Sequence, residues 1–79
     1  MKSVKIYTTS TCYWCHAAKE FFKENDIKFK EINVSFNPIA QFEMVKKSKQ
    51  MGVPVIDING QIIVGFNRSA IETALKEKN

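Results

Sequence analysis

The stretch STCYWCHAAKEFF, residues 10–22, is where the sequence changes from a strand pattern to a helix pattern. Before it, VKIYTT (residues 4–9) alternates apolar and polar residues and contains β-branched and aromatic types, which predicts a β-strand. From Cys12 onward the apolar residues recur at helical spacing, which predicts a helix. Ser10 and Thr11 are the expected N-cap residues of that helix.

The next two segments predict a second strand and a second helix. KFKEINV (residues 28–34) alternates again and predicts a strand. Asn37 followed by Pro38 predicts an N-cap with proline in the first helical turn. The apolar residues of this helix are expected on its buried side. They are Ile39, Phe42 and Val45 or Met44.

A hairpin and a closing helix complete the pattern. Asn59-Gly60 separates VPVIDI from QIIV and is the strongest hairpin signal in the chain. In the closing helix, Ser69 with Glu72 fits a capping box, and Asn67 is a competing cap. The order β-α-β-α-β-β-α predicts an α/β fold. Its mixed four-stranded sheet would be covered by three helices that lie on both faces.

The composition of the chain fits one small globular domain over residues 1–79. Hydrophobic residues make up 44% and charged residues 25%. No apolar run is long enough for a signal peptide or a membrane span, which predicts a cytoplasmic protein without a membrane partner. The net charge is +4, but the single basic cluster of Lys46, Lys47 and Lys49 fits a solvated helix face. No nucleic-acid partner is therefore expected, and an acidic protein partner fits the charge better.

The pair formed by Cys12 and Cys15 is open to three interpretations: a structural staple, a metal site and a redox-active pair. A disulfide across two residues closes a very short loop and removes little entropy from the unfolded chain, which disfavours the staple. A closed zinc site needs four ligands, and His16 is the only histidine, so no metal is expected within one chain. A metal ion or iron–sulfur cluster shared by two chains at a dimer interface stays open as the alternative.

The position of Cys12 at a helix start suits thiol–disulfide exchange. The thiolate is the attacking species, and a helix N-terminus lowers the pKa of a cysteine placed there. Cys15 lies one turn further into the helix and is expected to be more buried. The arrangement favours attack on a substrate disulfide by Cys12, followed by resolution of the mixed disulfide by Cys15.

Three features together resemble the glutaredoxin-like branch of the thioredoxin fold: a Cys-x-x-Cys after the first strand, a later Val-Pro that opens a hairpin, and a closing helix. The similarity runs through YTTSTCYWCHAAKEFF and GVPVIDINGQIIVGF and covers nearly the whole chain. It implies a thiol–disulfide oxidoreductase, an electron carrier with Cys12 as catalytic nucleophile and Cys15 as resolving cysteine. It also implies a cis Val53-Pro54 peptide bond that faces the cysteines. The substrate-binding residues that it implies are Tyr13, Trp14, Val53, Pro54, Gly65 and Phe66.

Three positions depart from the glutathione-binding pattern of that family. Thr9 stands where a basic residue is usual, Val64 replaces the first of two glycines, and Arg68 stands where acidic residues are usual. These departures weaken the expected glutathione site and leave the electron donor open between glutathione and thioredoxin reductase. The resemblance implies no tightly bound cofactor. Disulfide-containing proteins are the expected substrates, and the chain is expected to be a monomer.

Overall fold

The computed structural model describes residues 3–76, in which four strands and three helices follow one another in the predicted order. They are β1 (Val4–Thr8), α1 (Tyr13–Glu24), β2 (Lys30–Asn33), α2 (Pro38–Ser48), β3 (Val55–Ile58), β4 (Gln61–Val64) and α3 (Arg68–Lys76). The sheet has the strand order β2-β1-β3-β4. β1 is parallel to β2 and antiparallel to β3, and β3 is antiparallel to β4. The predicted mixed sheet with three helices is thus confirmed.

Two apolar clusters lie on the two faces of the sheet. α1 and α3 cover one face, where the cluster comprises Val4, Ile6, Ala18, Phe21, Phe22, Ile56, Ile58, Ile63, Ile71 and Ala74. α2 covers the other face, where the cluster comprises Tyr7, Val34, Ala40, Met44 and Val55. Successive strand residues point to opposite faces, so the neighbours Ile6 and Tyr7 belong to different clusters. Helices therefore cover both faces, as predicted.

The buried side of α2 includes Met44, as predicted, but not Ile39 or Phe42. Ala40 and Met44 are its buried residues, whereas Ile39 and Phe42 are 82% and 69% exposed. Val45 packs only partly against the core. Ala40 and Met44 lie one turn apart and so share a face, but α2 has apolar residues on its other side as well. Spacing alone does not choose between two such faces, and the docking of the helix on the sheet does.

Asparagine side chains cap the two later helices. The Asn37 Oδ1 accepts a hydrogen bond from the Ala40 N–H at 3.1 Å, which confirms the predicted start of α2. The Asn67 Oδ1 accepts one from the Ala70 N–H at 3.1 Å, so Asn67 is the cap of α3. Ser69 lies inside α3, and the predicted capping box is wrong. Both candidate caps of α3 had the right chemistry, and the backbone path into the helix decided between them.

The β3–β4 hairpin turns at Asn59 and Gly60, as predicted. Both residues have positive φ, 52° and 93°, as the central residues of a type I′ turn require. In the register of the sheet, Val55 pairs with Tyr7 on one side and with Val64 on the other. The start of β3 and the end of β4 therefore lie beside the end of β1, where the chain leaves the sheet toward Cys12. We call this end of the sheet the cysteine edge.

Candidate functional site

The cysteine pair lies between β1 and α1. Cys12 is the N-cap of α1, in place of the predicted Ser10 or Thr11, and its backbone is extended. Its Sγ accepts a hydrogen bond from the Cys15 N–H at 3.0 Å. The two sulfurs are joined in a disulfide, and the Cα atoms are 5.2 Å apart. The Cys12 sulfur is thus the group that faces the first backbone N–H groups of the helix.

The two cysteines differ in exposure. Cys15 is 1% exposed, whereas Cys12 is partly exposed, which agrees with the predicted asymmetry. The first turn of α1 has no acidic residue to oppose a negative charge on Cys12. Unpaired N–H groups and the helix dipole favour that charge. The arrangement can hold a reactive thiolate at Cys12 beside a Cys15 thiol that is shielded from solvent.

Aromatic rings extend from the cysteine pair to the start of α3. Tyr13 and Trp14, between the cysteines, are 73% and 57% exposed and make an edge contact with centroids 5.1 Å apart. The Trp14 and Phe66 centroids are 6.4 Å apart, and those of Phe66 and Phe21 are 5.9 Å apart. The structure thereby brings together Trp14 and Phe66, two of the predicted substrate-binding residues. The rings of Tyr13 and Trp14, between the cysteines, stay open to solvent.

A second group of predicted site residues meets where β3 begins and β4 ends. The Val53-Pro54 peptide bond is cis, as predicted. The Pro54 carbonyl accepts a hydrogen bond from the Gly65 N–H at 2.8 Å, which joins these two residues directly. Gly65 has a φ of +80°, a conformation that favours glycine. Pro54 is buried and Val53 is partly exposed, so Val53 is the more accessible of the two.

A charged group that the sequence analysis missed joins α1 to the sheet. The Glu31 Oε2 accepts hydrogen bonds from the Lys19 Nζ at 3.0 Å and from the buried Thr8 Oγ1 at 2.8 Å. Both hydrogen bonds lower the pKa of Glu31, and the one from Lys19 has the larger effect. The nearby His16 lowers it further. The available signal was the alternation over residues 28–34, which puts Glu31 on the α1 face of β2.

A second missed group joins α2 to the sheet. The Lys47 Nζ donates hydrogen bonds to the Tyr7 hydroxyl at 2.9 Å and to Asp57 Oδ2 at 3.0 Å, and the Tyr7 hydroxyl donates to Glu43 Oε1 at 2.8 Å. The hydrogen bond to Tyr7, followed by that to Asp57, raises the pKa of Lys47 against the opposing effect of burial. Burial raises the pKa of Tyr7. Lys47 therefore fastens α2 to the sheet, whereas the sequence predicted a solvated lysine.

The three positions that depart from the glutathione-binding pattern lie around the cysteine edge. Thr9 directly follows β1, and Val64 ends β4 and is half exposed. Arg68 is the first residue of α3. Its guanidinium lies over the Phe21 ring at 5.0 Å, and its Nε is 3.6 Å from Glu72 Oε2. A cation therefore occupies the helix start where the family resemblance implied carboxylates.

Two further properties concern the described residues alone. Within residues 3–76, no three His, Cys, Asp or Glu side chains are grouped so that they could hold a metal ion. None of the helices in this range has both the length and the apolar content needed to cross a bilayer.

Comparison with known proteins places this site in a family. The family model described as glutaredoxin matches residues 4–63. The chain is 46% identical over 74 residues to an uncharacterized glutaredoxin-like 8.6 kDa protein in the rubredoxin operon of Clostridium pasteurianum. That match covers 94% of this chain and 99% of the relative. The chain is also 38% identical to glutaredoxin 3 of Escherichia coli K12 over 65 residues, 82% of this chain and 78% of that protein.

A solved structure extends the similarity to the fold. The glutaredoxin-like protein NrdH-redoxin from Escherichia coli superposes with a TM-score of 0.81 at 27% identity. The match covers 98% of this chain and 99% of that one, and the structure is described as the basis of a thioredoxin-like activity profile. The cysteine pair at the start of α1 and the mixed sheet thus belong to a thioredoxin fold.

Proposed function

Since the chain belongs to the glutaredoxin family, we propose that it is a thiol–disulfide oxidoreductase that reduces protein or small-molecule disulfides with its Cys12–Cys15 dithiol. The family and the joined sulfurs support a redox function. The observation that carries the proposal is the difference between the two cysteines. Cys12 caps a helix with a partly exposed sulfur, and Cys15 is buried beside it.

The reaction begins when the Cys12 thiolate attacks one sulfur of the substrate disulfide. A bond forms between the Cys12 Sγ and that sulfur as the substrate disulfide breaks, and the second substrate sulfur leaves as a thiolate that takes up a proton. The backbone N–H groups at the start of α1 stabilise the attacking thiolate.

The second step releases the product. Cys15 loses its proton to solvent and attacks the Cys12 Sγ, which forms the Cys12–Cys15 disulfide and breaks the mixed disulfide. The remaining substrate sulfur leaves as a thiolate and is protonated. Two electrons have then passed from the cysteine pair to the substrate, and an external donor returns the pair to the dithiol.

The proposed substrate contacts lie along the cysteine edge. Tyr13, Trp14 and Phe66 offer aromatic rings to the groups that flank the reacting disulfide. Val53 precedes the cis bond at the start of β3, and its backbone pairs with the extended chain on either side of the substrate cysteine. Pro54 and Gly65 fix the shape of this edge through their mutual hydrogen bond.

The electron donor is a protein reductase of the thioredoxin reductase kind rather than glutathione. Arg68 repels the amino group of glutathione where a carboxylate would bind it, and Thr9 offers no cation to its carboxylates. The similarity to a redoxin described by a thioredoxin-like activity profile supports the same choice. The protein acts as a cytoplasmic monomer with disulfide-containing protein partners and no tightly bound cofactor.

Substitution of each cysteine by serine tests this function, because the two variants should lose activity at different steps. Cys12→Ser should abolish disulfide reduction, because no other thiolate lies at the helix start. Cys15→Ser should still attack but stall as a mixed disulfide, which intact-mass spectrometry detects. In the reduced protein, Cys12 should react with an alkylating agent well below pH 8.5, with Cys15 lagging behind it.

Two results would contradict the proposal. Equal reactivity of the thiols, with substrate reduction surviving Cys12→Ser, would exclude the mechanism. A metal or cluster shared between two chains predicts that both variants lose the metal about equally and that neither forms a trapped adduct.

A further inference from the structure

Three large apolar side chains, two on α2 and one just before it, take no part in the core. Phe36, Ile39 and Phe42, which we name the α2 patch, are 93%, 82% and 69% exposed. Together they present roughly 500 Å² of apolar surface, which is near the upper end for the largest patch on a soluble monomer. Because Ala40 and Met44 already attach α2 to the sheet, the patch is not needed to hold the helix in place.

The α2 patch begins at the same edge as the cysteine pair. The Ser10 N–H donates a hydrogen bond to the Ser35 Oγ at 3.2 Å, and the Asn33 Nδ2 donates to the Ser10 Oγ at 3.3 Å. Ser10 precedes Cys12 by two residues, and Ser35 immediately precedes Phe36. These bonds tie the loop that leads to Cys12 to the loop that leads to the patch. A protein that meets Cys12 from this side therefore reaches Phe36.

The charges near the patch favour an acidic partner. Lys46 and Lys49, at the end of α2, form no ion pair within residues 3–76. Lys47 is paired with Asp57, and Glu43 accepts the Tyr7 hydroxyl. The helix therefore presents uncompensated positive charge beside its apolar face. A second copy of the chain would bring another net charge of +4 against this one, so a partner with an acidic rim fits better.

We propose that the α2 patch docks an acidic partner protein whose disulfide is exchanged at Cys12, with Lys46 and Lys49 meeting the acidic rim. The inference rests on the proposed function and adds to it the class of substrate. Docking holds the partner disulfide near Cys12 and so raises its effective concentration there. A small disulfide gains nothing from the patch. The protein therefore discriminates between the two classes of substrate at a surface outside the cysteine edge.

The experiment uses Cys15→Ser as bait, because it retains each protein that Cys12 attacks as a mixed disulfide. The bait is incubated with the oxidised soluble proteins of the source cells, and the rate and isoelectric points of the trapped proteins are measured. The same bait carries Phe36→Ser, Ile39→Ser and Phe42→Ser together. The matched control replaces the same three residues by leucine, which keeps the surface apolar. Reaction with the small disulfide DTNB is measured for every variant.

The serine variant should trap proteins at least about tenfold more slowly, because few exposed apolar anchors carry most of the energy of such an interface. The leucine variant should trap them at nearly the original rate, and DTNB should react equally with all. Lys46→Gln should slow trapping about threefold at low salt, whereas Lys23→Gln, in the last turn of α1, should not. The trapped proteins should be mainly acidic.

Each other outcome overturns one specific claim. Failure of Cys12 to react with DTNB overturns the proposed function. Reaction with DTNB but no trapped protein, or equal trapping by the serine variant, overturns the docking proposal alone, as does a trapped set that is not acidic. Light scattering tests the alternative that the α2 patch binds a second copy of this chain. If the unmodified chain is a dimer that the serine variant converts to a monomer, the patch binds a second copy instead.

Discussion

At the scale of single residues, the proposed chemistry depends on Cys12, a cysteine that serves as a helix cap. The Cys12 sulfur takes the place of the usual hydroxyl or carboxamide cap and accepts the Cys15 N–H. In the proposed reaction, this same N–H group at the start of α1 would stabilise negative charge on the reduced Cys12 sulfur. Arg68 is the opposite case, because a cation at the first position of α3 lies at the unfavourable end of the helix dipole.

We expect Thr9 and Arg68 to set the proposed preference for the electron donor. Arg68→Asp with Thr9→Lys should raise the glutathione-coupled turnover about tenfold, because a charge-assisted hydrogen bond to the glutathione amino group replaces a repulsion. Arg68→Gln with Thr9→Lys is the control, since it removes the cation without adding a carboxylate. The unmodified protein should turn over faster with thioredoxin reductase than with millimolar glutathione. The reverse preference would show that these positions do not decide the donor.

At the scale of the elements, each helix is fixed by a cap and by the face that it buries. Asn37 and Asn67 each accept one N–H of the first turn, in α2 and α3 respectively. α2 buries only two of its residues and leaves larger apolar ones outside. α3, in contrast, buries Ile71 and Ala74 in the larger apolar cluster.

The cap of α3 is testable with neighbouring polar residues. Asn67→Ala should lower the free energy of unfolding by about 1 kcal/mol, because the Ala70 N–H loses its acceptor. Ser69→Ala, inside the helix, should change it by less than about 0.5 kcal/mol. Urea denaturation of both variants measures the difference. A larger loss for Ser69→Ala would restore the capping box that the sequence indicated.

At the scale of the whole molecule, ion pairs attach helices to both faces of the sheet. Lys47 links α2 to β1 and β3, and Glu31 links β2 to α1 through Lys19. The two connections lie on opposite faces, one for each apolar cluster. Both helices that flank the cysteine edge are therefore fixed by charge as well as by apolar contact.

The contribution of Glu31 should depend on pH in a defined direction. Its pKa is lowered in the folded chain, so its stabilisation is present above the ordinary value of 4.5 and is lost as the pH falls through the lowered value. Glu31→Gln should therefore cost about 0.5 kcal/mol near pH 7, a small value because the pair is partly exposed, and nothing in strong acid. Glu20→Gln, which removes an exposed charge from α1, is the control. Denaturation from pH 7 down into strong acid measures both, and a cost that persists unchanged there would contradict the assignment.

The sequence by itself determined the features that depend on local chemistry. The change of period at Cys12 fixed the junction of strand and helix, and Asn59-Gly60 fixed the hairpin, because each signal lies within a few residues of the structure that it specifies. The cysteine pair and the cis Val53-Pro54 bond were also predicted, through the resemblance to a family. The predicted caps of α1, Ser10 and Thr11, were wrong, because Cys12 caps that helix. Of the two predicted caps of α3, Asn67 is used and Ser69 is not.

Only the tertiary structure decided which face of α2 is buried and where Lys47 and Glu31 find their partners. Ile39 and Phe42 are as apolar as Met44, so hydrophobic spacing cannot tell the exposed residues from the buried one. Lys47 lies ten residues from Asp57 and forty from Tyr7 in sequence, and the fold alone brings their polar atoms within 3.0 Å. Such choices depend on contacts between segments that are distant in sequence, and those contacts exist only in the folded chain.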